Sequence, residues 1–536
     1  MKLPALLSKF RQVIYRFDAE SASDKINLLK QISAFPLAVG NSLSDYHEAL
    51  MFTAAYPENR NVYAAANREL KRIATVLKNT VPAKKQQLAD SGLPFTQMTT
   101  RFTPEMLSIL NSDQHCRLEL DSFDTDARSL GSVLRITLPA TEKEIAAGEE
   151  DNQSLLEWLG VKKEDQLSFL LSEFETLNES PFVKELLWQE LKTFVNVDLR
   201  HISFSRSFNR ISDAETFYHN RIEKRIDFNA LLHEPLPAPE VLSNEQQAEI
   251  IRVVRRAMVL TLRETDTSTY MRENTLRYYK LGRGISIAIY GMDAAHQLPL
   301  QSYIGYTLFK NGMPAAYGGS WVFGNAALFG LNILDSFRGG ESAYIMGQLL
   351  RVYKQAFNLS SIEVEAYQIG KDNEDGINSG AYWFYYRFGF RSVDPKLQTL
   401  AAKEFAKIST TKNYRSNRKV LLALAESNIT LTVEKQKTIK LDDITWEISK
   451  MIVRKYKGMR TKAVQQSVQQ LMQNLNADEH FVRKYRNSFE EWALFAECYG
   501  ISGRMTLAIL RKLIVTKELD PYSYNLSVKE LLGSLK

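Results

Sequence analysis

Asn311-Gly312 stands between two runs of β-forming residues, Y-I-G-Y-T-L-F-K from Tyr303 and M-P-A-A-Y-G-G-S-W-V-F from Met313. An Asn-Gly pair in that position is the strongest short signal for a two-residue hairpin, since both residues must adopt positive φ. An antiparallel pair is therefore fixed before anything else is read. Gly318-Gly319 inside the second run points to a bulge or a close approach of backbone. Upstream, I-S-I-A-I-Y-G-M from Ile285 reads as a strand. Downstream come a strand over residues 327–335, the turn S-F-R-G-G-E-S-A opening a helix to about Phe357, and a strand over 362–369.

The chain has 536 residues, more than one core usually serves, so two or three domains are expected. With 44% hydrophobic and 24% charged residues it reads as globular, and a net charge of +6 permits an anionic ligand without demanding nucleic acid. Cys116 and Cys498 suit a reducing compartment and offer no disulfide framework or zinc spacing; His115 beside Cys116 is a poor nucleophile-base pair. The N-terminus carries Lys9 and Arg11 within its apolar run and does not read as a signal peptide. No stretch approaches a membrane span, and a cytoplasmic location is expected.

Residues 1–240 read as mainly helical, with helices over 49–56, 62–78, from Gln153 and from Val183, and strands over 116–120 and 133–138. The charged stretch 141–151 is expected to be exposed. Three prolines in L-H-E-P-L-P-A-P-E, residues 232–240, mark a domain boundary, and Ser243 caps an amphipathic helix to Arg263. Residues 241–395 form the mixed α/β (α+β) part. Residues 396–536 are helical again, with a short strand at 429–433 as a candidate for the last strand of the sheet. Lys450, Arg454, Lys455, Lys457, Arg460 and Lys462 follow one another without an acidic residue, which reads first as a solvated helix face and otherwise as a docking surface for an acidic partner or RNA phosphates.

The remaining signal is N-S-G-A-Y-W-F-Y-Y-R-F-G-F. Ala381, Tyr385 and Phe388 share a helix face, and Gly389 stands where a left-handed cap would end it. Asn378, Ala381, Tyr385, Gly389 and Phe390 fill the spacing N-x-x-A-x-x-x-Y-x-x-x-G-F. With the preceding order of strands, glycine-rich turn and helix, residues 243–393 resemble the GNAT acyltransferase superfamily. The resemblance implies a mixed sheet with helices on both faces. It also implies acetyl-CoA or another acyl-CoA as donor, with Asn378 among the residues that bind it, no metal, and a small-molecule or protein amine as acceptor. Its phosphate-binding turn corresponds to Arg338, Gly339, Gly340, Glu341, Ser342 and Ala343, where backbone N-H groups at a helix N-terminus suit phosphate oxygens. Glu341 departs from the pattern: a carboxylate about 4 Å from pyrophosphate costs roughly 1 to 4 kcal/mol.

Tyr385 matches the family's proton donor to the leaving thiolate, with Tyr386 one helical step away as the substitute. Alternation along the splayed fourth strand sets Asn332 among Leu328, Gly330 and Leu334 as an acceptor contact. On the next strand Glu363, Glu365 and Tyr367 share a face, and Glu365 is the candidate base for the acceptor's ammonium proton. Two other readings keep the fold. One changes the donor to an aminoacyl-tRNA, which Glu341 and the basic stretch favour; the other is a binding module without turnover.

Overall fold

The computed structural model describes residues 2–148, 151–436 and 439–535. Among them the strands form two sheets. A small antiparallel one holds β1 (Gln97–Thr100), β2 (Cys116–Phe123) and β3 (Thr193–Leu199) in the order β1-β3-β2. The large one runs from β4 (Arg277–Lys280) through β5 (Ile285–Gly291), β6 (Ser302–Lys310), β7 (Met313–Phe323) and β8 (Ala326–Phe329). It continues through β10 (Ser361–Val364) and β12 (Ile429–Thr432) to β11 (Arg391–Ser392), while β9 (Asn332–Ile333) pairs with β7.

The Asn-Gly turn forms as its chemistry dictates. Asn311 and Gly312 take φ of 46° and 77°, and Lys310 faces Met313 across the β6–β7 hairpin. The tip is anchored under other parts of the chain, because the Asn311 amide donates to the carbonyls of Ala55 and Phe217. Between Leu308 and Phe309 the register shifts by one residue, opposite Pro314, which has no N-H to offer the ladder.

β8 and β10 are parallel, so the chain between them must cross over a face of the sheet. The helix Ser342–Phe357 does so, burying Ile345, Leu349, Val352 and Tyr353. Its core is continuous with that of the N-terminal helices, including Phe10, Leu50, Phe52, Tyr56 and Leu70. On the opposite face lies the helix Asn244–Val259, capped by Ser243 with the reciprocal Gln246 bond. Ile250 and Val254 of that helix meet Tyr290 and Phe309. Residues 98–204 have their own core, and so do 444–532, which also takes in Leu300 and Phe323.

The last strand is the one at 429–432, inserted antiparallel between β10 and β11 after an excursion through the helices Pro395–Thr410 and Arg418–Leu424. Three sequence expectations are corrected. Residues 133–138 belong to the helix Leu130–Thr137, where Leu130, Val133 and Leu134 share one buried face. The strand at 327–335 breaks into β8 and β9. The strand expected over 362–369 ends at Val364, because the Asn428 amide oxygen takes the Ala366 N-H and a helical turn, Ala366–Ile369, begins after Glu365. Tyr367 therefore leaves the face that Glu363 occupies. Of the charged stretch 141–151, residues 142–147 form a 3-10 helix that buries Ala146; Glu149 and Glu150 lie outside the described residues.

Candidate functional site

The parallel pair β8–β10 holds only over 326–328 against 361–363. Beyond it β10 turns into helix, whereas the β8 chain stays with β7: the Gly330 N-H donates to Gly319 O at 3.0 Å, and Asn332 pairs with Tyr317. The pairing of the two strands therefore ends at Leu328, and at Gly330 the β8 chain follows β7 alone, with the Gln368 side chain beside it.

Tyrosines stand on both faces of the sheet beside Gly330. The fully buried Tyr306 donates its phenol to the Gly330 carbonyl at 2.9 Å. Gly318 makes room for the bond, since a Cβ there would stand 2.5 Å from that carbonyl oxygen and 2.7 Å from the phenol. On the other face Tyr303 stacks on Trp321 at 4.5 Å and 13°, and its ring lies over Gly319. Tyr303, Trp321, Leu328 and Glu363 form one row across β6, β7, β8 and β10. Burial pushes the Tyr303 phenol up to about 12, with Asp266 and Glu365 adding to the shift.

Tyr385 approaches from the helix-covered face, in the short helix Ala381–Arg387 that ends at the predicted cap, Gly389, with φ of 95°. Its ring meets Phe390 at 5.5 Å and is 3% exposed. Among the described residues its hydroxyl has no hydrogen-bond partner. Burial raises its pKa and keeps the proton on the oxygen. Tyr385 and Tyr306 belong to the same hydrophobic core. Tyr386 turns elsewhere, under the Arg391 guanidinium at 3.6 Å. Glu365 is exposed at the end of β10.

The glycine turn is built differently from the sequence expectation. Arg338 is exposed and paired with Asp335 at 2.9 Å. Gly339, at φ of 83°, is exposed, while Gly340 lies against the Tyr56 ring, which a Cβ there would approach to 2.6 Å. Glu341 does not turn outward. Fully buried as the N-cap residue of the Ser342–Phe357 helix, it accepts from Arg283 Nε at 2.7 Å, Lys310 Nζ at 2.7 Å and the Glu223 N-H at 3.0 Å, with His219 at 3.7 Å. Burial opposes its charge, but His219, Lys310 and Arg283 together hold the carboxyl far below the usual carboxylate range. Burial in turn pushes Lys310 and His219 down. Ser342 and Ala343 stay half-buried at the helix start, where first-turn N-H groups lack intrahelical partners.

Two candidates stand apart. Asn332 is exposed beside Tyr317 instead of lying on an apolar face. Asn378, in the helix Glu374–Ser379, is exposed on the Trp383 side of the aromatic helix. Cys116 bonds to the Leu110 carbonyl, and burial pushes its thiol up to about 12, as befits an inert side chain; His115 engages Arg256 and stacks on His201. Sequence reading missed Tyr303 and Tyr306. Their signal was the glycine pair facing them in the hairpin.

Among the described residues no helix is long and apolar enough to cross a membrane. No family model, curated protein or solved structure matches this chain.

Proposed function

We propose that residues 241–395, completed by the strand at 429–432, form an acyltransferase of the GNAT type that moves an acyl group from a coenzyme A thioester to an amine. The observation that carries this reading is the Tyr385 phenol, buried, protonated and without a protein partner, in a sheet whose parallel pair β8–β10 stops at Leu328. A thioester carbonyl beside that phenol would be attacked by the amine from the Tyr303 and Trp321 face. The carbon-sulfur bond would break toward Tyr385, which protonates the thiolate, and Glu365 would take the ammonium proton, directly or through water. Pyrophosphate would rest on Gly339 and the first-turn N-H groups of Ser342 and Ala343. Arg338 would be drawn from Asp335, a surface pairing of the kind worth about 0 to 1 kcal/mol. Glu341 does not oppose this, since its charge is neutralised inside the protein.

A second reading, an aminoacyl-tRNA donor on the same fold, draws support from one observation. On the helix Leu441–Tyr456 the exposed Trp446 carries Lys450 over its ring at 5.4 Å, a pairing suited to base stacking beside phosphates.

The test is the unfolding temperature with acetyl-coenzyme A and with free coenzyme A, for the wild type and Arg338→Ala. Ligand at about a hundred times its dissociation constant stabilises by roughly 2.7 kcal/mol. A shift in the wild type that shrinks in the variant supports the thioester donor on the glycine turn. Absence of a shift with either compound, from folded protein, rejects it.

A further inference from the structure

The helix carrying Tyr385 has a second side. Tyr382, Trp383 and Tyr385 are all buried in the sheet core, and Trp383, with Arg387 one turn on, also borders an excursion of the chain that the sheet itself does not require. β11 ends at Ser392 and its partner β12 begins at Ile429. A tight turn would have joined them; instead two helices and the loop between them build a wall opposite Trp383.

Between wall and helix lies a cavity of about 570 Å³, within the range that holds small ligands. Arg387, Arg415 and Arg418 line it, together with Asn378 and Tyr414, and no carboxylate does. Arg418 is occupied by Glu374, and the nearby Glu404 is engaged by Lys407 at 2.6 Å and by the Tyr414 hydroxyl at 2.9 Å. Arg387 and Arg415 have no carboxylate partner among the described residues. The second observation is independent of charge. Trp383 is 6% exposed, and its indole N-H, sealed from solvent, has no acceptor. An enclosed donor without a partner forgoes about 1 to 3 kcal/mol, which a small turn of the ring toward a ligand oxygen in the cavity would recover.

We infer that this cavity is a binding site for a phosphate group carried by a small molecule. Two guanidinium groups without a carboxylate partner, of which Arg387 holds only the Trp383 carbonyl at 3.3 Å, supply with a carboxamide and an indole N-H donors for several oxygens at once, the pattern guanidinium recognition of phosphate requires. Its floor is the helix that bears Tyr385 two residues on, so occupancy would brace the position of that phenol. The inference does not depend on acyl transfer.

The experiment is isothermal titration of the full chain with sodium pyrophosphate, inorganic phosphate and adenosine 3′,5′-bisphosphate. It compares the wild type, Arg387→Gln/Arg415→Gln, Trp383→Phe and Arg338→Ala. Saturable pyrophosphate binding is expected, weakened at least about tenfold by the double substitution and about three- to tenfold by Trp383→Phe. Both arginines are exposed, so the double variant should unfold at the wild-type temperature. Arg338→Ala should bind unchanged, which separates this cavity from the glycine turn. Tighter binding of the bisphosphate than of pyrophosphate assigns a nucleotide as the source; equal binding assigns the phosphate alone. No saturable binding at millimolar ligand, or binding lost in Arg338→Ala and kept in the double variant, overturns the inference.

Discussion

Tyr306 and Gly330 are joined by a hydrogen bond that passes over β7, from the phenol on β6 to the carbonyl at which the β8 chain leaves its parallel partner. The bond needs Gly318 between them, because any Cβ there would displace one partner or the other. A strand parting from its neighbour ordinarily exposes a carbonyl to water; here the carbonyl is held by a buried donor, which fixes the β8 chain where it leaves β10.

Tyr306→Phe removes the donor and leaves that carbonyl short of a partner, at an expected loss of about 1 to 3 kcal/mol. Gly318→Ala should be worse, since crowding adds to the lost bond. Denaturant unfolding of both variants checks the order. Equal stability of Gly318→Ala and the wild type would mean that the bond is dispensable.

The hairpin was legible in the chain because Asn311-Gly312 admits few alternatives. The consequence for the site was not. Counting outward from the turn, Lys310 opposite Met313, sets Tyr306 opposite Tyr317; the shift at Pro314 moves it opposite Gly318 instead. One residue of slippage exchanges the faces of every side chain beyond it, so the tyrosine-glycine pairing could not be read without the bulge. Tyr385, its Gly389 cap and the closing strand at 429–432 were legible, since local helix spacing and a short β-rich run sufficed. The length of β10 was not, because it is set by Asn428, far away in sequence. Glu341 was read as a misfit on local grounds, and its partners Arg283, Lys310 and His219 come from segments that sequence alone cannot bring together.

Glu341 binds those segments to the start of the crossover helix. Glu341→Gln leaves Lys310, itself fully buried, without a counter-charge, and an expected loss of about 3 to 5 kcal/mol follows. Adding Lys310→Met should recover part of that loss, because the stranded charge is then gone. A double-mutant cycle by chemical denaturation measures the recovery. Strictly additive losses would show that the pair is not coupled.

His47 is fully buried, and neither ring nitrogen has a partner. Burial, with Arg206 contributing, pushes its pKa down to about 3 from 6.5. Between these values the unfolded chain binds a proton that the folded one refuses. Stability is therefore complete above about pH 6.5 and falls by about 1.4 kcal/mol per pH unit below it. His47→Leu should flatten this part of the profile of unfolding temperature between pH 7 and pH 4. An unchanged slope in the variant would assign the acid loss to other groups.

Tyr385→Phe separates chemistry from packing. The ring and its contact with Phe390 stay, and the hydroxyl removed has no protein partner, so stability should change by less than about 1 kcal/mol. The rate of acyl transfer from acetyl-coenzyme A should fall about a hundredfold or more, the usual contribution of a positioned acid, with substrate binding little changed. The pH profile gives a further check. An ordinary phenol loses its proton near pH 10, but burial raises this one, so the wild-type rate should show no loss from this group on approach to pH 10. A variant that turns over at the wild-type rate would move the proton donor elsewhere, with Tyr306 as the next phenol to replace.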